Sequence, residues 1–189
     1  MCRVLAFYGT EGSLPAYVTI KSYDCPIVPG ILNQKNTITN LDPYLIATCH
    51  CEANDPAIES LANQLTEGCT SDYEKALVIY NFVRDSIDYD FYYDTWYGAV
   101  GTLRVGSGNC CDQAHLVIAL ARAADLPARY NHGTCTFSDR TFGHVWPQIL
   151  VGDIWVVADP TSPRNSFGEV NNWNNYNYQL ISQGNEILF

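Results

Sequence analysis

The sequence predicts an α+β domain in which helices pack on an antiparallel β-sheet and a nucleophilic cysteine opens the central helix. Three observations carry this expectation: helical apolar stripes that begin after residue 54, a hairpin signal at Gly152-Asp153, and a Cys, a His and an Asp on elements able to converge. At 189 residues, 47% apolar and 16% charged, the chain can bury a sizeable core and disorder is not expected.

Residues 1–53 read as an N-terminal extension, β-rich but poorly determined by pattern. Short apolar runs at Val4–Tyr8 and alternation over Tyr17–Tyr23 suggest strands, broken by Pro15, Pro26, Pro29 and Gly30. Residues 54–189 read as one catalytic domain. Asp55-Pro56 is a cap followed by proline at the first helical position, Ile58, Leu61, Ala62 and Leu65 repeat at helical spacing, and Gly68 stops the run. Ser71-x-x-Glu74 is a capping box for a second helix that presents Ala76, Ile79, Tyr80, Val83 and Ile87 on one face. The tyrosine-rich stretch Asp88–Tyr97 follows, and Gly98 and Gly101 read as turns. A third helix runs from Cys110 to about Ala124, with Ala114, Val117, Ile118 and Ala121 as its stripe and Leu120 and Ala124 widening it. Ala128–Tyr130, His144–Val151 and Ile154–Asp159 read as strands, the last two joined by the tight Gly152-Asp153 turn.

Extending the third helix's stripe back one turn lands on Cys110, so its thiol faces the body of the domain from the helix start. Cys111 continues the line through His115 and Arg122, the more polar side. A turn centred on Gly152-Asp153 sets Trp146 opposite Asp159 and His144 opposite Thr161, so His144 and Asp159 are diagonal neighbours on one face, about 7–8 Å apart at the backbone. A helix N-terminus beside an imidazolium lowers a thiol pKa from ~8.5 into a range of about 3.5–7.5. Cys110 is thus the expected nucleophile, His144 its acid/base partner, and Asp159 the carboxylate that orients the imidazole. The N–H groups of Cys110 or Cys111 are candidate oxyanion donors, and Asn109, Tyr93 and Trp96, with Tyr92 and Tyr97, are candidate cleft residues. Asp112 reads as a first-turn acid, His115 as a surface or supporting residue, and His50 and His132 have no assigned partner.

The net charge of −10 argues against nucleic acid or an anionic membrane surface as partner. No apolar run approaches the ~18 residues that would span a membrane, and the N-terminus Met1-Cys2-Arg3-Val4 lacks the features of a secretory signal. Eight cysteines allow a zinc reading of Cys49-His50-Cys51 with Cys25 and Cys69. The paired Cys-x-x-Cys spacing is missing, which favours buried thiols with one disulfide. Asp88, Asp90 and Asp94 read as a solvated acidic face rather than an oxygen cage.

Gly108-Asn109-Cys110 with Asp112, Ala114 and Leu116, then Ala119-Leu120-x-Arg122-Ala123-x-x-Leu126-Pro127-Ala128-Arg129, resembles the transglutaminase-like cysteine-protease superfamily, with Gly143-His144-Val145-Trp146 and Asp159-Pro160-Thr161 as its His and Asp motifs. Phe91-Tyr92-Tyr93, Tyr97-Gly98-Ala99-Val100-Gly101-Thr102-Leu103, Arg129-Tyr130-x-His132-Gly133-Thr134-Cys135 and Arg164-Asn165-Ser166-Phe167-Gly168 are similar to the pseudomurein endoisopeptidases of methanogen viruses and related archaeal surface proteins. The resemblance covers about residues 54–189. It implies a papain-like core and hydrolysis of the ε-Ala-Lys isopeptide bond in pseudomurein cross-links, at the archaeal cell wall or as a viral lysis enzyme released from the host. It implies no cofactor for the chemistry, a possible Ca2+ without assignable ligands (metal ligands unknown), a pseudomurein wall peptide as partner, and a monomer. The wall-binding repeats that often precede such domains are not evident. A transamidating cross-linker and a non-catalytic wall-binding module are the alternatives.

Overall fold

A computed structural model describes residues 28–138, 140–187 and 189, with the backbone of residues 3–5 and 17–19. β1 (Arg3–Leu5) and β2 (Tyr17–Thr19) pair antiparallel. The remainder of the strands expected over Val4–Tyr8 and Tyr17–Tyr23 lies outside the described residues. β3 (Gln34–Lys35) then forms one edge of the main sheet, followed by a 3-10 turn at Asp42–Tyr44.

The helices begin where their caps dictate. Asp55 accepts a 2.8 Å bond from Ala57 N and starts α1 (Pro56–Thr66), while Gly68, at φ +77°, lets the chain turn away after it. Ser71 Oγ accepts from Glu74 N at 3.2 Å and starts α2 (Asp72–Ser86). The Glu74 carboxylate also reaches back to Thr70, accepting from its N–H at 2.6 Å and its hydroxyl at 2.8 Å. Ile58 and Ala62 of α1, and Ala76, Ile79, Tyr80 and Val83 of α2, are fully buried, as their spacing requires.

β4 (Asp88–Tyr89) pairs parallel with β5 (Ser107–Gly108), and between them Gly98–Val105 forms α3. The turns read at Gly98 and Gly101 are therefore corrected to helix. The cap comes from a distant residue: the Glu52 carboxylate accepts from Ala99 N at 2.8 Å, and His50 O accepts from the same N–H at 2.9 Å. Gly98, at φ +64°, is the residue that permits this approach, since a Cβ there would lie 3.1 Å from Glu52 Oε1. Local glycine content cannot reveal a cap supplied from elsewhere in the chain.

α4 (Cys110–Ala123) crosses the centre of the domain. β6 (Ala128–Thr136), β7 (Thr141–Val151), β8 (Ile154–Val157) and β9 (Tyr178–Gly184) complete an antiparallel sheet of order β3-β8-β7-β6-β9. β6 runs beyond Tyr130 because both its edges are paired, with β7 on one side and β9 on the other, which outweighs the polar Asn131, His132 and Thr134. At Gly133 the β6–β9 register shifts, and a Cβ there would overlap the Gln179 carbonyl oxygen. β9 has no apolar alternation to announce it; most of it is exposed at the sheet edge. The β7–β8 hairpin has the register that the Gly152-Asp153 turn sets, with Val151 opposite Ile154 and Gln148 opposite Val157. The ladder ends at Val157, two residues short of Asp159, so Thr161 is not paired with His144.

One core lies between the helices and one face of the sheet, joining Ile58, Ile79, Leu116, Leu120, Val145 and Ile149. A smaller one, with Trp146, Val157, Val170, Trp173 and Leu32, covers the other face. Residues 28–53 share both cores: Leu32 in the smaller, and Cys51 and Ala53 in the larger. All of α4 from Cys111 to Arg122 is buried, so the side read as more polar is also interior. Arg122 is satisfied there by carbonyls, at 2.7 Å from Ile46 O, 2.9 Å from Ala128 O and 2.6 Å from Asn185 O.

Candidate active site

Asn109 is the N-cap of α4, and it leaves Cys110 as the first helical residue. Its Oδ1 accepts from Cys111 N at 2.9 Å and Asp112 N at 3.0 Å, while its Nδ2 donates to Tyr92 O and Asp94 O. Both ends of the amide are therefore engaged, and neither Asn109 Nδ2 nor the Cys111 N–H is free to hold an oxyanion. At the helix start Cys110 N–H has no partner among the described residues.

The segment before the helix is held by Asp112, which is fully buried. Asp112 Oδ2 accepts from Tyr92 OH at 2.6 Å and Trp96 N at 3.1 Å; Oδ1 accepts from Tyr97 N at 3.1 Å and Gly98 N at 2.8 Å. Tyr92 OH in turn accepts from Asn109 N at 3.0 Å. One carboxylate thus ties the aromatic segment to the turn that carries Cys110. The first-turn acid is an interior anchor, a role that its position two residues after Cys110 signals only in retrospect.

His144 lies in β7 on the face that also carries Trp146. Its Nε2 is 2.9 Å from Asp159 Oδ2, with the imidazole 4% exposed and the carboxylate 0% exposed. Asp159 also accepts from Trp173 Nε1 at 2.9 Å on Oδ2, and from Thr161 N at 3.1 Å and Thr161 Oγ1 at 2.7 Å on Oδ1. Trp173 gave no signal in the sequence. It belongs to a box of rings around His144, with Phe137 edge-on at 5.6 Å, Trp146 stacked at 6.0 Å and Trp173 edge-on at 5.9 Å. These rings exclude water and strengthen the charge interactions inside them.

The Cys111 thiol, His144 and the Val145 N–H lie around the Cys110 sulfur and stabilise its anion. With Nε2 committed to Asp159, the ring nitrogen left for Cys110 is Nδ1. The Cys111 thiol, then the bond to His144 and its charge, outweigh burial and hold the Cys110 pKa well below its ordinary value. Cys111 moves the other way, raised by donating to Cys110 and by burial. Burial alone would lower the His144 pKa, but Asp159 and the Cys110 sulfur overcome it and raise the value to about 10. Burial opposes the ionised Asp159 as well; His144, Trp173 and Thr161 prevail and lower its pKa. These shifts all favour the thiolate–imidazolium form of the pair beside an ionised Asp159.

Cys110 and His144 open on a cleft of about 300 Å3, lined also by Tyr89, Phe91, Tyr92, Tyr93, Asp94, His132, Phe142 and Gly143. Tyr93 stands at its rim, 74% exposed. Trp96 is not in the lining; it is 65% exposed and stacks on Tyr92 at 4.3 Å. His132 lines the cleft with its ring edge-on to Phe189 at 4.9 Å. His50 lies 5.5 Å from the ring of His115, and His115 is interior rather than on the surface. Thr95 Oγ1 donates to Phe189 O, so it accepts from His115 Nε2–H at 2.9 Å, which leaves His115 Nδ1 to accept from Tyr130 OH at 2.8 Å. That chain fits a neutral imidazole, and burial lowers the His115 pKa to about 3.

Among the described residues no three His, Cys, Asp or Glu side chains gather to hold a metal ion. Cys49 is exposed, Cys51 is buried with its sulfur 3.6 Å from Arg122 Nη1, and Cys69 is disulfide-bonded. Among the described residues no helix is long and apolar enough to cross a membrane.

A helix-start thiol beside a sheet-borne imidazole, with helices on one face of an antiparallel sheet, defines a papain-like, transglutaminase-like α+β domain. The chain belongs to the transglutaminase-like superfamily, whose pattern matches residues 59–160. The fold is similar to that of a putative cysteine protease from Cytophaga hutchinsonii, at 22% identity and a TM-score of 0.60, over 77% of this chain and 54% of that one. It is also similar to the periplasmic domain of TgpA from Pseudomonas aeruginosa, at 20% identity and a TM-score of 0.50, over 62% of this chain and 45% of that one. The chain therefore spans about half the length of these structures, and the likeness is one of fold. Among curated proteins none matches the sequence.

Proposed function

We propose that this protein is a cysteine endoisopeptidase that hydrolyses the ε-Ala-Lys bond of pseudomurein cross-links, with Cys110 as nucleophile, His144 as acid and base, and Asp159 as the orienting carboxylate. The observation that carries the reading is the half-buried Cys110 thiol and the imidazole of His144 lining one cleft, with His144 held from behind by the buried Asp159. The thiolate attacks the Ala carbonyl carbon, forming the C–S bond. The imidazolium gives its proton to the Lys ε-nitrogen as the C–N bond breaks, leaving a thioester and a free amine. Water then attacks the thioester, giving one proton to His144; the C–S bond breaks to restore the thiolate, and the acid leaves as carboxylate, its remaining proton passing to solvent. The substrate class rests on the motif resemblance carried by Phe91-Tyr92-Tyr93, by the segment 97–103 and by Arg164-Asn165-Ser166-Phe167-Gly168. The site of action is then the archaeal cell wall, with no cofactor needed for the chemistry and a single copy sufficient.

Mass spectrometry of fragments released from purified pseudomurein sacculi tests this. New Lys ε-amines and Ala carboxylates are expected from the native protein and none from Cys110→Ala or His144→Ala. Release by either variant overturns the assignment. Amide products formed with an added primary amine, in place of hydrolysis, would make the protein a transamidase.

A further inference from the structure

The tetrahedral intermediate of the proposed reaction needs donors for the oxygen that becomes negative, and the sequence left these unresolved. The structure removes most of the cleft's candidates. Tyr92 OH donates to Asp112, Asn109 Nδ2 to two backbone carbonyls, and Cys111 N to the Asn109 cap. Tyr93 points its bulk to solvent at the rim. His132 packs its ring edge-on against Phe189, and two donors in the lining are then engaged by no described residue: the Cys110 N–H and the phenol of Tyr89, which is 46% exposed against 74% for Tyr93.

Tyr89 is fixed there by backbone pairing. In the parallel β4–β5 ladder it stands opposite Gly108, two residues before the nucleophile, and Asp90 N donates to Gly108 O at 3.1 Å to lock the register. Its ring lines the same cleft as Cys110 and His144. Resting on the peptidase reading above, we infer that Tyr89 is a catalytic residue that, with Cys110 N–H, donates a hydrogen bond to the oxyanion. When the C–S bond forms, the carbonyl π electrons move onto oxygen and both donors bind it; when the C–N bond breaks, the electrons return and the donors are released. Burial, then the negative charges of Cys110 and Asp159, raise the phenol's pKa, so Tyr89 keeps its proton throughout the working range.

The test compares two reactions of Cys110 in Tyr89→Phe, which keeps the ring and removes only the hydroxyl. Acylation by p-nitrophenyl acetate passes through an oxyanion; alkylation by iodoacetamide does not. Peptide mass spectrometry assigns both products to Cys110. Acylation is expected to slow by about 10²-fold, the scale of losing one oxyanion donor, with alkylation unchanged within about twofold. Unchanged acylation overturns the inference. So does an equal loss in both reactions, because that places the effect on the thiolate or on folding. If the native Cys110 fails to acylate at all, the peptidase reading falls, and this inference with it.

Discussion

Replacing Asp112 by Asn tests how the nucleophile's turn is held. Each Asp112 oxygen accepts two bonds, from Tyr92 OH and Trp96 N on Oδ2 and from Tyr97 N and Gly98 N on Oδ1. Asparagine keeps one accepting oxygen and turns an amino group toward two donors that have no water, since the site is fully buried. Hydrogen bonds to a charged group contribute about 1.5–3 kcal/mol each, so losing two and confronting their donors costs about 3–5 kcal/mol. For a chain of this length that is a fall of roughly 10 °C in Tm, at about 2–4 °C per kcal/mol. Calorimetry or circular-dichroism melting reads it, and limited proteolysis should find new cleavage within residues 92–98. A variant that melts within about 2 °C of the native protein would refute the claim that this carboxylate fastens the aromatic segment to α4.

The charged pair makes a prediction about pH. Activity needs the imidazolium, so the rate should hold to high pH and fall only as His144 loses its proton near pH 10. Asp159→Asn removes the charge that opposes burial, so the alkaline limb should move to lower pH and the rate drop by about 10³–10⁴-fold; an unmoved limb in the pH–rate profile would contradict the role given to Asp159. His115 governs acid stability instead. Its pKa is about 3 when folded and ~6.5 when unfolded, so the unfolded chain binds the extra proton between these values. Its contribution is complete above pH 6.5 and shrinks by about 1.4 kcal/mol per pH unit below it. In urea titrations His115→Gln should lose about 2 kcal/mol less than the native protein between pH 7 and pH 5; equal losses would clear His115 of that dependence.

Much of this architecture was legible because it is written in short-range chemistry. Asp55 and Ser71 cap helices with their own side chains, apolar residues at helical spacing must share a face, and a two-residue turn at Gly152-Asp153 fixes which strand residues lie opposite. Such signals depend on neighbours within a turn or two of the chain, and the positions of Cys110 and His144 on their elements follow from them. What escaped depends on partners distant in sequence. α3 exists because Glu52 caps it, and β9 because β6 offers it an edge. Asp112 is an anchor because the 92–98 segment folds over it, and Asp159 is saturated because Trp173 and Thr161 close on it past the end of the hairpin ladder. The sequence by itself determined which residues could be nucleophile, base and carboxylate, since helix and strand periods are local. Only the tertiary structure decided which donors remain free beside them, because a hydrogen bond already made within the packed chain is unavailable to a substrate.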